Sequence, residues 1–238
     1  IESNNGGYYV LGYSNSPGIS SGNTDILLLK IDMSGNQIWM KSYGNKEFPN
    51  HEWGNDFIQL QDNSIIIVGA RDRYSNGSKN SLIIKVDENG TKLWEKEIIN
   101  DQQTSENAYS ISESSSGGIF ICIGKNNIEN EKKYFPEILK LDYSGNIDWK
   151  RNYNTNSRDY HQFKVEKTID GGALIVGSSL SGLAIGYKED IFVIRIDSNG
   201  NIIWTNAYGT ADEDDWGWSI YEKPDGNIII GGSTKSYN

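Results

Sequence analysis

The stretch Ile26 to Gly44 reads ILLLKIDMSGNQIWMKSYG. An aliphatic run ends in Asp32, the chain turns through Ser34-Gly35-Asn36, and the next segment carries Trp39. Gly and Asn adopt the positive φ that tight hairpin turns need, so this stretch predicts two antiparallel strands. The Trp returns at intervals of 55 residues, as Trp39, Trp94, Trp149 and Trp204. An Asp and a Gly that precede the Trp recur at the same interval of 55 residues. They are Asp32, Asp87, Asp142 and Asp197, and Gly35, Gly90, Gly145 and Gly200.

Two further features share this period. An apolar run ending in Gly occurs five times, at Gly12, Gly69, Gly124, Gly177 and Gly231. An apolar position recurs ahead of that run, at Phe57, Ile111, Val165 and Ile220. Each period therefore predicts four strands, named A to D. Strand A carries the apolar position, B is the run that ends in Gly, C is the run that ends in Asp, and D holds the Trp.

A four-stranded antiparallel unit that repeats about every 55 residues is typical of a β-propeller blade. One such sheet cannot bury both of its faces unless neighbouring sheets cover it. We therefore predict an all-β fold with a single β-propeller region over residues 1–238, divided at 1–45 (partial), 46–101, 102–155, 156–210 and 211–238 (partial). The pattern contains 17 strands, about four and a quarter blades, so we expect a fragment of a larger propeller. A β-sandwich is the alternative that the strict period disfavours.

The stretch Ile26 to Gly44 and the longer unit Asp170 to Gly209 also carry a family resemblance. They resemble the repeats of PQQ-like, quinoprotein-type propellers, and are similar to repeats of bacterial and archaeal secreted and cell-surface propeller proteins. The resemblance implies a propeller fold, a docking role for the periodic Trp between blades, and an extracellular or cell-surface location. The chain lacks a recognisable set of quinone ligands and an adjacent-Cys pair, so no cofactor is predicted.

The composition narrows the classes of partner. The chain has 22 basic and 32 acidic residues and a net charge of −10, which repels phosphate backbones and argues against a nucleic-acid partner. No apolar stretch approaches the ~20 residues of a membrane helix, so no membrane span is expected. The single cysteine, Cys122, lies in an apolar run and is expected to be a buried hydrophobe.

Two repeated polar positions have structural interpretations. The Asp before the Gly turn is expected to accept backbone N–H groups and close the hairpin. A basic residue flanked by apolar neighbours recurs in strand C, at Lys30, Lys85, Lys140 and Arg195. We expect its stem to pack between blades and its head to contact a carboxylate or a turn carbonyl. These four cations and the four periodic Trp residues form the predicted inter-blade set.

Three Trp residues fall outside the period. Trp53 and Trp216 occupy equivalent positions just before strand A, each followed by Gly, and Trp218 comes next. A flat apolar ring beside planar acceptors is typical of sugar-binding surfaces and peptide grooves. The predicted ligand-binding residues are therefore His51, Trp53, Asp56, Asp214, Asp215, Trp216 and Trp218. The alternative is that a Trp at this position fills the gap between blades.

Metal and catalytic motifs give weak signals. Within the acidic segment 212–215 the weak metal candidates are Asp212, Asp214 and Asp215, with a solvated loop as the alternative, and no metal site is predicted. The run Gly177 to Gly182 lacks the Gly-x-Ser-x-Gly spacing of a nucleophile elbow. The chain also has no phosphate-binding Gly-rich loop with Lys. No catalytic residue is predicted.

The predicted function is a non-catalytic binding or scaffolding module of a secreted or surface protein. Its protein or glycan partner is expected on the edge that carries the long B–C and D–A loops, because variable loops on a rigid scaffold are where binding residues concentrate. Two alternatives stay open. One is a lectin-like carbohydrate-binding propeller, and the other is a glycan-active hydrolase or lyase with carboxylates on the same face.

Overall fold

A computed structural model of the chain describes residues 1–20, 23–45, 51–72, 78–99, 104–127, 134–153, 163–179, 188–210 and 212–235. In these ranges the fold is all-β, with no helix and with 17 strands, which confirms the all-β part of the prediction and the number of strands. The strands are β1 (Tyr8–Ser14), β2 (Asp25–Ile31), β3 (Gln37–Tyr43), β4 (His51–Gln59), β5 (Ile65–Asp72), β6 (Lys79–Val86), β7 (Lys92–Ile98), β8 (Thr104–Glu113), β9 (Ile119–Asn127), β10 (Tyr134–Leu141), β11 (Ile147–Asn152), β12 (Lys164–Lys167), β13 (Ala173–Ser179), β14 (Asp190–Ile196), β15 (Ile202–Tyr208), β16 (Asp215–Glu222) and β17 (Ile228–Thr234).

Every sheet is an antiparallel meander of strands that follow one another in the chain. The described strands form sheets β1-β2-β3, β4-β5-β6-β7, β8-β9-β10-β11, β12-β13-β14-β15 and β16-β17. In the letters of the repeat these are B-C-D, three sets of A-B-C-D, and A-B. Whether the sheets are the blades of a propeller stays a prediction.

The chain divides into two compact units, residues 1–108 and 109–238, and the division falls within β8. The buried apolar run of strand B supplies much of each core: Ile65 and Ile67 lie in the core of the first unit, and Ile175 lies in a core of the second. The predicted single propeller region stays a prediction. Its internal boundaries, 45/46, 101/102, 155/156 and 210/211, involve residues outside the described ranges.

The C–D turn is closed by its own Asp. Asp32 Oδ1 accepts the backbone N–H groups of Ser34 and Asn36, both at 2.8 Å, and Oδ2 accepts the Asn36 side-chain amide at 2.9 Å. The Oδ1 bonds recur in the turns that begin at Asp87, Asp142 and Asp197. The predicted role of this Asp is thus confirmed. The Asn side-chain bond is the main cause of a lowered pKa at Asp32, Asp142 and Asp197.

The repeated cation of strand C is the cross-strand partner of the periodic Trp in all four described C–D hairpins, as Lys30–Trp39, Lys85–Trp94, Lys140–Trp149 and Arg195–Trp204. A register shift follows each cation. The heads reach the A–B turn of the same sheet, where they contact Gly6 O, Asp62, Gly117 O and Asp170, respectively. Each head therefore makes the expected contact with a turn carbonyl or a carboxylate, and the packing of the stems between blades stays a prediction.

In the second unit, the periodic Trp of one sheet covers the C–D turn of the next. Trp149 Nε1 donates to Ser198 O at 3.1 Å. A Cβ built on Gly200 would lie 2.9 Å from the Trp149 ring, so only glycine fits beneath the indole. Tyr153, directly after β11, donates its hydroxyl to Gly200 O at 2.7 Å. Trp149 and Tyr153 thus hold the C–D turn of the next sheet from two sides. We call this pair of contacts, Trp over the turn glycine and Tyr on its carbonyl, the Trp–Tyr clasp.

The same clasp is present in the first unit. A Cβ on Gly90 would lie 3.1 Å from the Trp39 ring, and Tyr43 donates its hydroxyl to Gly90 O at 2.8 Å. Trp39 and Trp149 thus contact a neighbouring sheet, as the docking hypothesis expects. Trp204 is half-buried and packs against a core that includes Ile220 of β16, and Trp94 is half-buried in β7.

The variant Gly90→Ala tests the clasp, with Gly35→Ala as its matched control. Both glycines have positive φ, +77° and +83°, so alanine costs about 1 kcal/mol of left-handed strain at either site. A Cβ at Gly35 meets open space, whereas a Cβ at Gly90 would lie 2.8 Å from Lys41 Cγ and 3.1 Å from the Trp39 ring, both on β3 of the preceding sheet. We expect urea denaturation to show a free energy of unfolding about 1–2 kcal/mol lower for Gly90→Ala than for Gly35→Ala. Equal losses would contradict the clasp.

Acid is expected to weaken the C–D turns. A carboxyl whose pKa is lowered by folding stabilises the folded state above its unfolded pKa, ordinarily 3.8, and that stability is lost as pH falls through the lower folded pKa. We expect the urea midpoint to drop between about pH 4 and about pH 2. The triple Asp→Asn variant at positions 32, 142 and 197 should be less stable at neutral pH but lose less over this range. If the urea midpoint of the triple variant falls with pH as steeply as that of the wild type, these Asp residues do not cause the acid sensitivity.

Candidate functional site

Both non-periodic Trp–Gly pairs lie within strand A, one in β4 and one in β16. The prediction that they precede this strand was wrong, because strand A begins two residues before Trp53 and one residue before Trp216. The glycine lets strand A approach the B strand of the preceding sheet closely. A Cβ on Gly54 would lie 2.9 Å from Leu11 of β1, and a Cβ on Gly217 would lie 2.6 Å from Val176 of β13. Sheet packing therefore requires the glycine and sets the position of the Trp beside it.

A backbone hydrogen bond ties the first residues of strand A to the preceding sheet. Glu52 N donates to Thr24 O at 2.7 Å, and Asp215 N donates to Glu189 O at 2.6 Å. The acceptors stand just before strand C in both cases. Asp215 itself is buried, and its Oδ2 accepts the backbone N–H of Thr210 at 3.0 Å. This predicted ligand residue therefore makes a contact that holds strand A in place.

In the first unit, the structure brings Trp53 together with His51, as predicted. Their rings are stacked at a centroid distance of 5.5 Å, and His51 Nδ1 lies 3.0 Å from Thr24 Oγ1. The Lys79 ammonium lies 4.6 Å from the centroid of the Trp53 ring. The half-buried indole is thus contacted by a ring and a cation of its own chain.

A buried ion cluster lies in the same sheet as Trp53. The Arg71 side chain is 4% exposed and contacts three carboxylates: Glu95 at 2.7 Å, Glu52 at 2.8 Å and Glu97 at 3.0 Å. Asn80 donates to Glu97 Oε1 at 2.7 Å. Burial lowers the pKa of Arg71, but the carboxylates of Glu95 and Glu52 outweigh it and raise the pKa. The cluster anchors Glu52, which stands between His51 and Trp53.

In the second unit, Trp216 is held by a buried carboxylate. Its Nε1 donates to Glu189 Oε2 at 2.9 Å, and Glu189 is 2% exposed. The Lys235 ammonium lies 4.7 Å from the centroid of the Trp216 ring and 3.2 Å from Asp214 Oδ2. Asp214 Oδ1 accepts the Glu189 backbone N–H at 3.1 Å, which is the main cause of its lowered pKa. We call Asp214, Trp216 and Lys235 the Trp216 surface.

Trp218 is the extra residue of a β-bulge. Gly217 pairs with Gly232 and Ser219 pairs with Gly231, so Trp218 is inserted between two successive pairs of the ladder. A bulge redirects its side chain, and Trp218 is 44% exposed. Its Nε1 donates to Ser233 Oγ at 3.1 Å, which fixes one edge of the exposed indole.

The equivalent bulge in β4 has Asn55 as its extra residue. The Asn55 side-chain amide donates to Asn107 Oδ1 at 2.6 Å and to Ala108 O at 2.9 Å, both in β8. In the first unit, therefore, the bulge residue contacts the next strand A. Trp218 consequently has two interpretations, a ligand-binding ring or a contact with a further strand.

The remaining candidates lie apart from the two indole sites or make other contacts. Asp56 is half-buried in β4, and its Oδ1 accepts the N–H of Phe57 at 3.0 Å. Asp212 is exposed. Within the described ranges, no three or more His, Cys, Asp or Glu side chains are grouped so that they could hold a metal ion.

Several contacts of these sites were missed in the sequence. They involve Lys79, Glu189 and Lys235 at the indoles and Arg71 in the ion cluster. Lys235 follows strand B and Lys79 begins strand C, so the two cations that contact the equivalent Trp residues share no repeat position. The repeat pattern therefore does not indicate these contacts. The long B–C and D–A loops that were predicted to bind lie largely outside the described residues.

A cavity of about 320 Å³ lies at the far end of β16 from Trp216, beside the short A–B turns. It is lined by Thr168, Ile169, Tyr221, Glu222 and Pro224, among others. Glu222 contacts Arg195 at 3.2 Å and accepts the Ile169 N–H at 2.7 Å. The buried carboxylate is thus used to join strand A to the preceding sheet.

Comparisons with known proteins do not assign the chain to a family. No protein-family model matches the chain, and no curated protein matches it. The resemblance to PQQ-like propeller repeats therefore stays a prediction. Across the described part of the chain, no helix is sufficiently long and apolar to cross a membrane.

The variant Arg71→Met tests the ion cluster, with Arg195→Met as control. Removing Arg71 leaves buried carboxylates without their cation, so we expect the free energy of unfolding to fall by about 3 kcal/mol or more. Arg195 is 20% exposed and contacts the exposed Asp170 and the buried Glu222. Glu222 keeps its hydrogen bond from the Ile169 N–H, so the loss of Arg195 is expected to cost less, about 1–2 kcal/mol. Lowering the pH toward about 4.5 should recover part of the Arg71→Met loss, because protonation relieves the repulsion. Equal losses in urea denaturation would contradict a buried cluster.

Proposed function

We propose that this chain is a non-catalytic binding or scaffolding module of β-propeller type, belonging to a secreted or surface protein. Consecutive antiparallel meanders with one repeated pattern support the propeller part of the proposal. The Trp–Tyr clasp supports it further, since it joins successive sheets in each unit as stacked blades require. The extracellular or cell-surface location follows from the resemblance of the repeats alone.

The observation that carries the binding function is the Trp216 surface. A large aromatic side chain contributes most to binding when its orientation is fixed before the partner arrives. Trp216 has this property, because Glu189 holds its indole nitrogen from a buried position. Asp214 adds a charged acceptor whose orientation is set by the Glu189 backbone. The surface therefore offers a fixed ring and a fixed carboxylate side by side.

The electrostatics of this surface favour binding over catalysis. A carboxyl that serves as general acid near neutral pH needs a raised pKa. Asp214 has a lowered pKa, because the Glu189 N–H and the Lys235 ammonium stabilise its charged form. It stays a carboxylate at neutral pH and suits the recognition of a cation or a hydrogen-bond donor. The glycan-active hydrolase or lyase stays an alternative that no described contact favours.

Carbohydrate binding is the second candidate function, and Trp218 favours it. Its indole is exposed by the bulge, and its nitrogen is fixed by Ser233. Sugars present apolar C–H faces that can stack on such a ring while neighbouring polar groups bind their hydroxyls. A lectin-like module would therefore use Trp218 as its stacking platform.

Arrays of defined peptides and of glycans, probed with the labelled protein, test the proposed function. We expect the wild type to bind a subset of one array, and Trp216→Leu or Trp218→Leu to stay folded and lose that binding. Trp218→Leu should lower the thermal midpoint by less than about 5 °C. Trp216→Leu should lower it further, because it removes the indole donor from the buried Glu189 Oε2. Loss of glycan binding in Trp218→Leu alone would support the lectin-like alternative. Absence of wild-type binding on both arrays would overturn the function, as would binding that survives in the double variant.

A further inference from the structure

The Trp216 surface already binds a cation of the chain itself. The Lys235 ammonium lies over the Trp216 ring, 4.7 Å from its centroid, and contacts Asp214 Oδ2 at 3.2 Å. The face of an indole is electron-rich and attracts an ammonium, and a carboxylate beside it neutralises the charge. The contact shows which chemistry this pair of groups accommodates.

The ring and the carboxylate are held independently of Lys235. Trp216 Nε1 donates to Glu189 Oε2 at 2.9 Å, and Asp214 Oδ1 accepts the Glu189 N–H at 3.1 Å. The Lys235 side chain is 55% exposed, and its backbone N–H donates to Asp214 O at 3.1 Å. The ammonium can therefore leave the ring while the backbone stays in place. An incoming cation would find the indole and the carboxylate already oriented.

The charges of the neighbouring segments favour a cationic partner. Residues 188–190 and 212–215 contain six acidic side chains, against which stand the two cations Lys188 and Lys235. The whole chain has a net charge of −10. The negative electrostatic potential of these charges raises the local concentration of cationic partners and disfavours acidic ones.

We infer that the Trp216 surface recognises the ammonium or guanidinium side chain of a Lys- or Arg-bearing segment of another protein, and that Lys235 is an internal competitor for it. This inference rests on the proposed binding function and names the chemistry of its partner. The incoming cation takes the place of the Lys235 ammonium on Trp216 and Asp214. Competition from Lys235 thereby lowers the affinity of the surface for every cationic ligand to a similar degree.

The variant Lys235→Met tests the competition, with Lys223→Met as its matched control. Lys223 is also an exposed lysine paired with an aspartate, Asp225 at 2.9 Å, so both variants change the net charge equally. The probe is a fluorescein-labelled peptide, Gly-Ser-Lys-Gly-Ser-Lys-Gly-Ser, followed by anisotropy at about 0.15 M salt. We expect Lys235→Met to bind it about fivefold more tightly than the wild type, and Lys223→Met to stay within about twofold.

Two further arms identify the contact groups. Replacing both peptide lysines by acetyllysine removes the charge and keeps the length, and we expect affinity to fall about tenfold or more. The variant Asp214→Asn should weaken the lysine peptide about tenfold and leave the acetyllysine peptide almost unchanged. The same peptide with Glu in place of Lys is expected not to bind.

The outcomes separate this inference from the function on which it rests. Equal affinity for the lysine and acetyllysine peptides, or no tightening in Lys235→Met relative to Lys223→Met, would overturn cation recognition. In that case, binding of a glycan or a neutral peptide on the arrays would leave the binding function standing. If the wild type and Lys235→Met bind no array member and no lysine peptide, both proposals fail.

Discussion

The contact of a Trp and a Tyr with the glycine of the C–D turn in the next sheet is the interaction on which the other contacts of this fold depend. The turn between strands C and D is first closed from within by its Asp, which makes it a rigid projection. The preceding sheet then covers its glycine with an indole and binds its carbonyl with a phenol. A side chain at the glycine would crowd the indole, so the glycine of the turn has to lie opposite the Trp. Within each unit, this requirement fixes the position of the later sheet relative to the one before it.

Once successive sheets are in registry, strand A of the later sheet lies against strands B and C of the earlier one. Close approach requires glycine in strand A, as at Gly54 and Gly217, and a backbone bond from Glu52 or Asp215 completes the junction. The residue between each acid and its glycine is thereby held at the edge of the sheet. A rigid scaffold that presents a variable side chain at a fixed place is what a binding site requires.

The two units use this position differently. In the first, Trp53 contacts a stacked histidine ring and a lysine of its own sheet, and the same sheet contains a network of buried charges. In the second, Trp216 is fixed by a buried carboxylate and contacts a lysine that is more than half exposed. The same repeat position thus has different surroundings in the two sheets. This difference is the basis of the proposed partner chemistry.

The sequence by itself determined the features that are local and repeated: the four-strand pattern, the Asp-closed turn, and the cation whose head reaches a nearby turn. Each occurs several times, and each depends on residues within one sheet, so periodicity was sufficient to find them. Only the tertiary structure decided what surrounds the non-periodic Trp residues. Glu189 and Lys235 are distant from Trp216 in sequence and have no repeated spacing to it, and the bulge that exposes Trp218 depends on how two strands pair. Cation–π contacts and bulges arise from distances between separate segments, which a single linear pattern does not encode.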